Sequence, residues 1–110
     1  MADYSSEFKK ILSSYKQIII VEFYSKHCKS CKKMTPFFEY LAKEYPNYVF
    51  LTIDAEKADD LSDKYDITMV PSFKAFRNEK IIDEYVGNSN EELENFINNL
   101  SKKTEIKKTK

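Results

Sequence analysis

Cysteine is scarce in this chain. Only Cys28 and Cys31 occur in 110 residues, with Lys29 and Ser30 between them. Two cysteines scattered over such a length would fall three apart roughly one time in fifty. At that spacing two thiols can close a disulfide within one turn and open it again by thiol exchange. The apolar run Ile18 to Tyr24 stops just before Cys28, and an amphipathic stretch starts at the pair. Cys28 therefore falls at a helix N-terminus, where free backbone N–H groups and the helix dipole stabilise a thiolate. Lys26, Lys29, Lys32 and Lys33 act in the same direction, and residues 26–33 contain no acid. Cys31, one turn further in, is expected to be more buried and to suit the role of resolving thiol. The competing reading is a pair of inert core cysteines, because free cysteine is commonly buried.

Three further residues have types that bear on chemistry. Glu22 interrupts the apolar run, and a carboxylate inside a buried strand is costly unless protonated or paired. It is either a buried carboxyl whose pKa is raised by burial or a strand-edge residue facing solvent, since a one-residue shift exchanges the faces. His27 is the sole histidine. It can stabilise the neighbouring thiolate, or it can simply face water. With the two thiols it makes three potential metal ligands where structural zinc takes four, so neither a metal nor a cofactor is expected. Pro71 precedes the run Ser72 to Arg77, and as a residue that cannot donate to a ladder it fits the first position of a strand.

The elements that must hold these residues follow from periodicity. Phe8, Ile11, Leu12 and Tyr15 make a helical stripe, with Asp3 and Ser5 as candidate N-caps. Ile18 to Tyr24 reads as a central strand covered on both faces. Cys31, Met34, Phe38, Leu41, Ala42 and Tyr45 give the second helix, with Pro36 inside it as an expected kink. Tyr48 to Asp54 is a strand and Asp59 to Tyr65 a short helix. Ser72–Arg77 and Lys80–Val86 flank Asn78-Glu79 as a hairpin. Ser89 and Glu92 form a capping box for a final helix whose stripe is Leu93, Phe96, Ile97 and Leu100. The order α-β-α-β-α-β-β-α implies a mixed sheet with helices on both faces.

Composition narrows the class. At this length, with 42% hydrophobic and 33% charged residues, the chain reads as one soluble domain over residues 1–100. Residues 101–110 carry five lysines against one acid and read as a flexible, solvated tail. No apolar run approaches the roughly 20 residues that span a bilayer, and net charge is zero. Neither a membrane nor nucleic acid is expected as partner. The first 17 residues hold no signal-peptide core, so an intracellular, cytoplasmic location is expected; a targeting segment already removed in processing is the open alternative.

The pattern Val21-Glu22-Phe23-Tyr24-Ser25-Lys26-His27-Cys28-Lys29-Ser30-Cys31-Lys32 resembles the strand and redox motif of the thioredoxin family. Pro36 falls at that family's kink proline, Val70-Pro71-Ser72-Phe73 resembles its cis-proline loop, and Val86-Gly87 the end of its last strand. The resemblance runs from about Ser5 to Leu100. It implies an α/β thioredoxin fold, with the family's first edge strand short or absent because only Met1 to Asp3 remain for it. It implies that Cys28 attacks client disulfides, that Cys31 resolves the mixed disulfide, and that Val70 and a cis Pro71 hold the client beside the sulfurs. Glu22 stands where the family has a buried aspartate that relays a proton for the resolving cysteine. Phe50 stands where bacterial members carry a lysine. His27 and Lys29-Ser30 replace the tryptophan and Gly-Pro of the family motif, which puts His27 and Lys29 on the client-facing rim. The expected activity is a monomeric thiol–disulfide oxidoreductase acting on disulfide-containing proteins and reduced by thioredoxin reductase or glutathione. The alternatives are a glutathione-linked or specialised exchanger, and a partner-binding module with little redox turnover.

Overall fold

The computed structural model describes residues 4–105, with side chains described as far as residue 102. Residues 1–3, where the first edge strand and the N-cap candidate Asp3 would fall, and residues 106–110 lie outside the described residues. The elements are α1 (Tyr4–Ser14), β1 (Ile19–Tyr24), α2 (Lys29–Glu44), β2 (Val49–Asp54), α3 (Asp59–Lys64), β3 (Ser72–Arg77), β4 (Lys80–Val86) and α4 (Asn90–Glu105). The described strands form one sheet in the order β2-β1-β3-β4. β1 and β2 are parallel, which requires a crossover, and α2 supplies it. β1 with β3 and β3 with β4 are antiparallel.

Alternation along β1 sorts the core into two halves. Ile19, Val21 and Phe23 pack with Phe8, Leu12, Ala58, Leu61 and Phe76 beneath α1 and α3. Ile18 and Ile20 pack on the other face with Met34, Phe38 and Leu41 of α2 and with Leu93, Ile97 and Leu100 of α4. Glu22 shares the parity of Ile18 and Ile20, so its side chain belongs to the α2 and α4 face. A strand buried on both faces needs apolar residues at nearly every position, and Ile19 to Phe23 are all buried, Glu22 included.

The helix and turn expectations need three corrections. Tyr15 is not part of the first stripe. The Ser13 and Ser14 hydroxyls donate back to the Lys10 carbonyl at 3.0 and 2.6 Å, α1 ends at Ser14, and Tyr15 is exposed. Ser5 lies within α1 rather than capping it, and its N–H donates to Asp60 Oδ2 at 2.8 Å, tying α1 to α3. The capping box of α4 is half formed. Glu92 N–H donates to Ser89 Oγ at 3.2 Å, but Ser89 N–H donates to the Tyr85 hydroxyl at 3.1 Å, and that hydroxyl donates to Glu92 Oε1 at 3.0 Å. The tyrosine stands between the two partners. α4 continues five residues beyond Leu100, to Glu105.

The hairpin between β3 and β4 turns on Asn78 and Glu79, both at positive φ (53° and 67°), the combination that matches strand twist in a two-residue loop. Lys74 on β3 is buried and ion-paired to Glu84, directly opposite on β4. Pro36 lies inside α2, and with no N–H it leaves the Lys32 carbonyl without its helical partner.

Candidate active site

The sequence places Cys28 as the residue that opens α2, and local geometry shows the use of that position. Cys28 is the N-cap, in extended conformation (φ −94°, ψ 113°), and its sulfur accepts the Cys31 N–H at 3.0 Å. N-caps are usually oxygen-bearing side chains that satisfy a first-turn N–H. Here a sulfur holds that place, so the group that would stabilise a thiolate is already aimed at it. Cys28 and Cys31 form a disulfide with their Cα atoms 5.2 Å apart. Cys31 is buried at 2% exposure, whereas Cys28 is only half-buried. Thiol exchange requires access to the attacked sulfur, so only Cys28 is open to a partner.

The second wall of the site comes from the start of β3. The Val70–Pro71 peptide bond is cis, and the Val70 carbonyl oxygen lies 3.7 Å from Cys28 Sγ. Pro71 is buried at the entry to the strand, Val70 is half-buried, and Met69 before them is 65% exposed. A peptide approaching Cys28 therefore meets a backbone edge and an apolar side chain on this side.

Glu22 lies under the site. It is 0% exposed, and the Thr35 hydroxyl donates to its Oε2 at 2.9 Å. Oε1 has no hydrogen-bond partner among the described residues. Burial pushes the carboxyl from its ordinary 4.5 up to about 7; the Thr35 hydrogen bond opposes the rise, and the Glu39 charge adds to it. Thr35 is four residues after Cys31, one turn along the same face of α2, so the carboxyl and the buried sulfur belong to one neighbourhood. A depression of about 330 Å³ opens onto Cys31 and Thr35, with Tyr24, Ser25, Lys26 and Lys32 completing its lining. Phe50 packs its ring on Phe38, 5.1 Å between centroids, within the same half of the core.

His27 and Lys29 stay at the rim. Both are exposed, and the His27 N–H donates to Ser25 Oγ at 3.2 Å. The fold thus gathers Cys28, Cys31, Val70 and Pro71 at one point with Glu22 below, and leaves His27 and Lys29 on the solvent side.

The family model for thioredoxin matches residues 2–99. The chain belongs to the thioredoxin family. Thioredoxin 1 of Plasmodium falciparum is 32% identical over 92 residues, covering 84% of this chain and 88% of that protein. Thioredoxin of Gallus gallus is 31% identical over 100 residues, covering 91% and 92%. Among solved structures, Plasmodium falciparum thioredoxin superposes with a TM-score of 0.81 at 31% identity, covering 84% of this chain and 90% of that one. Fasciola hepatica thioredoxin gives 0.82 at 26% identity, covering 86% and 91%. With the Cys28–Cys31 couple in place, this member of the family is a thiol–disulfide oxidoreductase that acts on disulfide substrates.

Sequence reasoning missed three residues of the site. Thr35 was signalled only by its helical spacing from Cys31. Asn88 reaches across from the loop after β4, its Nδ2 donating to Ser30 Oγ at 3.4 Å, a contact between residues 58 apart that no local pattern announces. Met69, a large apolar side chain in the loop just before the cis Val70–Pro71 bond, is 65% exposed, and nothing in the local pattern announces that. Gly87, the only glycine of the chain, stands beside the same loop. It adopts φ +157°, and a Cβ there would lie 2.6 Å from the Tyr85 hydroxyl oxygen.

Proposed function

We propose that this protein works in the reducing direction, with Cys28 as nucleophile, Cys31 as resolving thiol and Glu22 as proton acceptor for Cys31. The observation that carries the reading is the asymmetry of the couple: an accessible Cys28 sulfur capped by the Cys31 N–H, and a Cys31 sulfur closed to solvent. In the reduced protein the Cys28 thiolate attacks one sulfur of a client disulfide. The client S–S bond breaks, a Cys28–client bond forms, and the other client sulfur leaves as a thiolate that takes a proton from water. Cys31 then loses its proton to the Glu22 carboxylate and attacks the Cys28 sulfur. This forms the Cys28–Cys31 bond and releases the second client thiolate. A group titrating at about 7 is well matched to that proton at neutral pH.

Two electrons pass to the client per cycle, and an outside thiol donor must restore the dithiol. Thioredoxin reductase is the proposed donor, glutathione the second, and the working form a monomer in a reducing intracellular compartment. The client's cysteine segment docks as a short added strand against Val70, with His27 and Lys29 at the rim.

The test is a Cys31→Ser variant, which should keep clients covalently attached through Cys28. Reduction of insulin with thioredoxin reductase or with glutathione as donor identifies the reductant. Glu22→Gln should slow release of the trapped client more than its capture. Failure of the Cys31→Ser variant to accumulate any mixed disulfide would overturn the assignment of the two thiols.

A further inference from the structure

The accessible sulfur sits inside a rim of lysines, none of them ion-paired among the described residues. Lys29, Lys32 and Lys33 fall at i, i+3 and i+4 on the solvent side of α2, and Lys26 lies in the loop before it; all four are exposed. None has an acidic partner within salt-bridge distance among the described residues, where Lys74 is paired to Glu84. The first acid along α2 is Glu39, seven residues after Lys32, about 10 Å of helix away at 1.5 Å per residue. The concentration is local. Residues 26–33 hold four lysines and no acid, while the rest of the first hundred residues hold nine basic against seventeen acidic. Lys32 N–H also donates to the Cys28 carbonyl at 3.3 Å, so this turn of lysines is fixed to the capping cysteine. The opposite wall, Met69 and Val70, offers an apolar side chain and a backbone edge but no charge.

From this placement we infer that the protein selects protein clients whose reactive cysteine is flanked by Asp or Glu. The inference rests on the reading that Cys28 attacks client disulfides. A carboxylate near the attacked cysteine meets unpaired ammonium groups on the α2 side, and a lysine there meets four like charges. Complementary charge around a reactive site acts mainly on the encounter rate, and its effect collapses as salt is added. The rest of the first hundred residues is net acidic and repels the same clients, which favours arrival at the lysines around Cys28.

The experiment uses the pre-reduced full chain and two single-disulfide peptides that differ only in Glu or Lys flanking the cysteines. Second-order rate constants for peptide reduction are measured at about 0.01 M and about 1 M salt, where screening lengths are roughly 30 and 3 Å. The expected result is a preference of about tenfold or more for the Glu peptide at low salt, falling to about twofold at high salt. A Lys32→Gln, Lys33→Gln double variant should lose at least half of the low-salt preference. Equal rates for the two peptides at low salt, a preference indifferent to salt, or one unchanged in the double variant would overturn the inference and leave the exchange reading standing. No reduction of either peptide would remove the exchange reading and this inference with it.

Discussion

Replacing Glu22 by Gln reads out what burial does to the carboxyl. In the folded protein burial raises its titration to about 7 from the ordinary 4.5. At 1.36 kcal/mol per pH unit this difference amounts to about 3 kcal/mol. The sign follows from proton binding. Between 4.5 and 7 the folded chain holds a proton that the unfolded chain has released, so stability falls as pH rises through that window. Below it both states are protonated and titration adds no penalty. Above it both are ionised, and the full penalty applies. Gln carries no such term, but its amide has a cost of its own. One atom can keep the Thr35 hydrogen bond, while the other inherits the unpartnered position of Oε1. A buried unsatisfied group costs about 1–3 kcal/mol at any pH. The absolute stability of the variant is therefore a poor test, and its pH dependence relative to the parent is a sharp one. Urea unfolding of the oxidised forms of both proteins, followed by circular dichroism from pH 4.5 to 9, should show the difference moving by about 3 kcal/mol in favour of Gln as pH rises. Parallel curves over that range would refute the raised titration and with it the proton-acceptor role.

Two other perturbations test separate parts of the site. Gly87→Ala places a Cβ against the Tyr85 hydroxyl at a φ that side chains avoid. It should destabilise the fold by about 1–3 kcal/mol, seen as a lower denaturation midpoint, and an unchanged midpoint would show that the loop is free to move. The thiolate-favouring surroundings of Cys28, namely the Cys31 N–H, the helix terminus and the lysine rim, favour the reduced form. Equilibration against glutathione buffers should give a potential between about −200 and −260 mV, above the roughly −270 mV of thioredoxin. A value at or below −270 mV would show that the lysines leave the sulfur untuned.

Much of this architecture was legible because the signals were local. The apolar run Ile18 to Tyr24 marked β1 as a strand covered on both faces, and the missing N–H of Pro71 fixed the start of β3. Adjacency of a buried run and an amphipathic stretch put Cys28 at a helix start. What the residues alone left open was whether Glu22 faced the core or the solvent; the covering helices α2 and α4 decide that. Contacts across the fold were not readable. The Asn88–Ser30 bond and the Tyr85 hydroxyl between Ser89 and Glu92 depend on where β4 delivers the chain. A capping box predicts its own closure from two residues and has no means of foreseeing a tyrosine that enters it from a neighbouring strand. The length of α4 was not readable either. The apolar stripe stops at Leu100, yet a helix with its inner face anchored can carry polar turns beyond the last apolar position.

The sheet also imposes a division of labour on the protein's tolerance of change. Every residue proposed to handle a sulfur or a proton lies on the α2 side of β1 or at the ends of its strands. Phe8, Leu12, Ala58 and Leu61 pack on the opposite side, where they keep the sheet covered. Lesions there reduce how many molecules are folded at a given moment, while each folded molecule keeps its rate. Lesions in the half shared by Met34, Phe38 and Thr35 alter both quantities together. Sequence drift is accordingly freer under α1 and α3, limited there by abundance alone, and tighter beneath the cysteines, where packing and turnover draw on the same side chains.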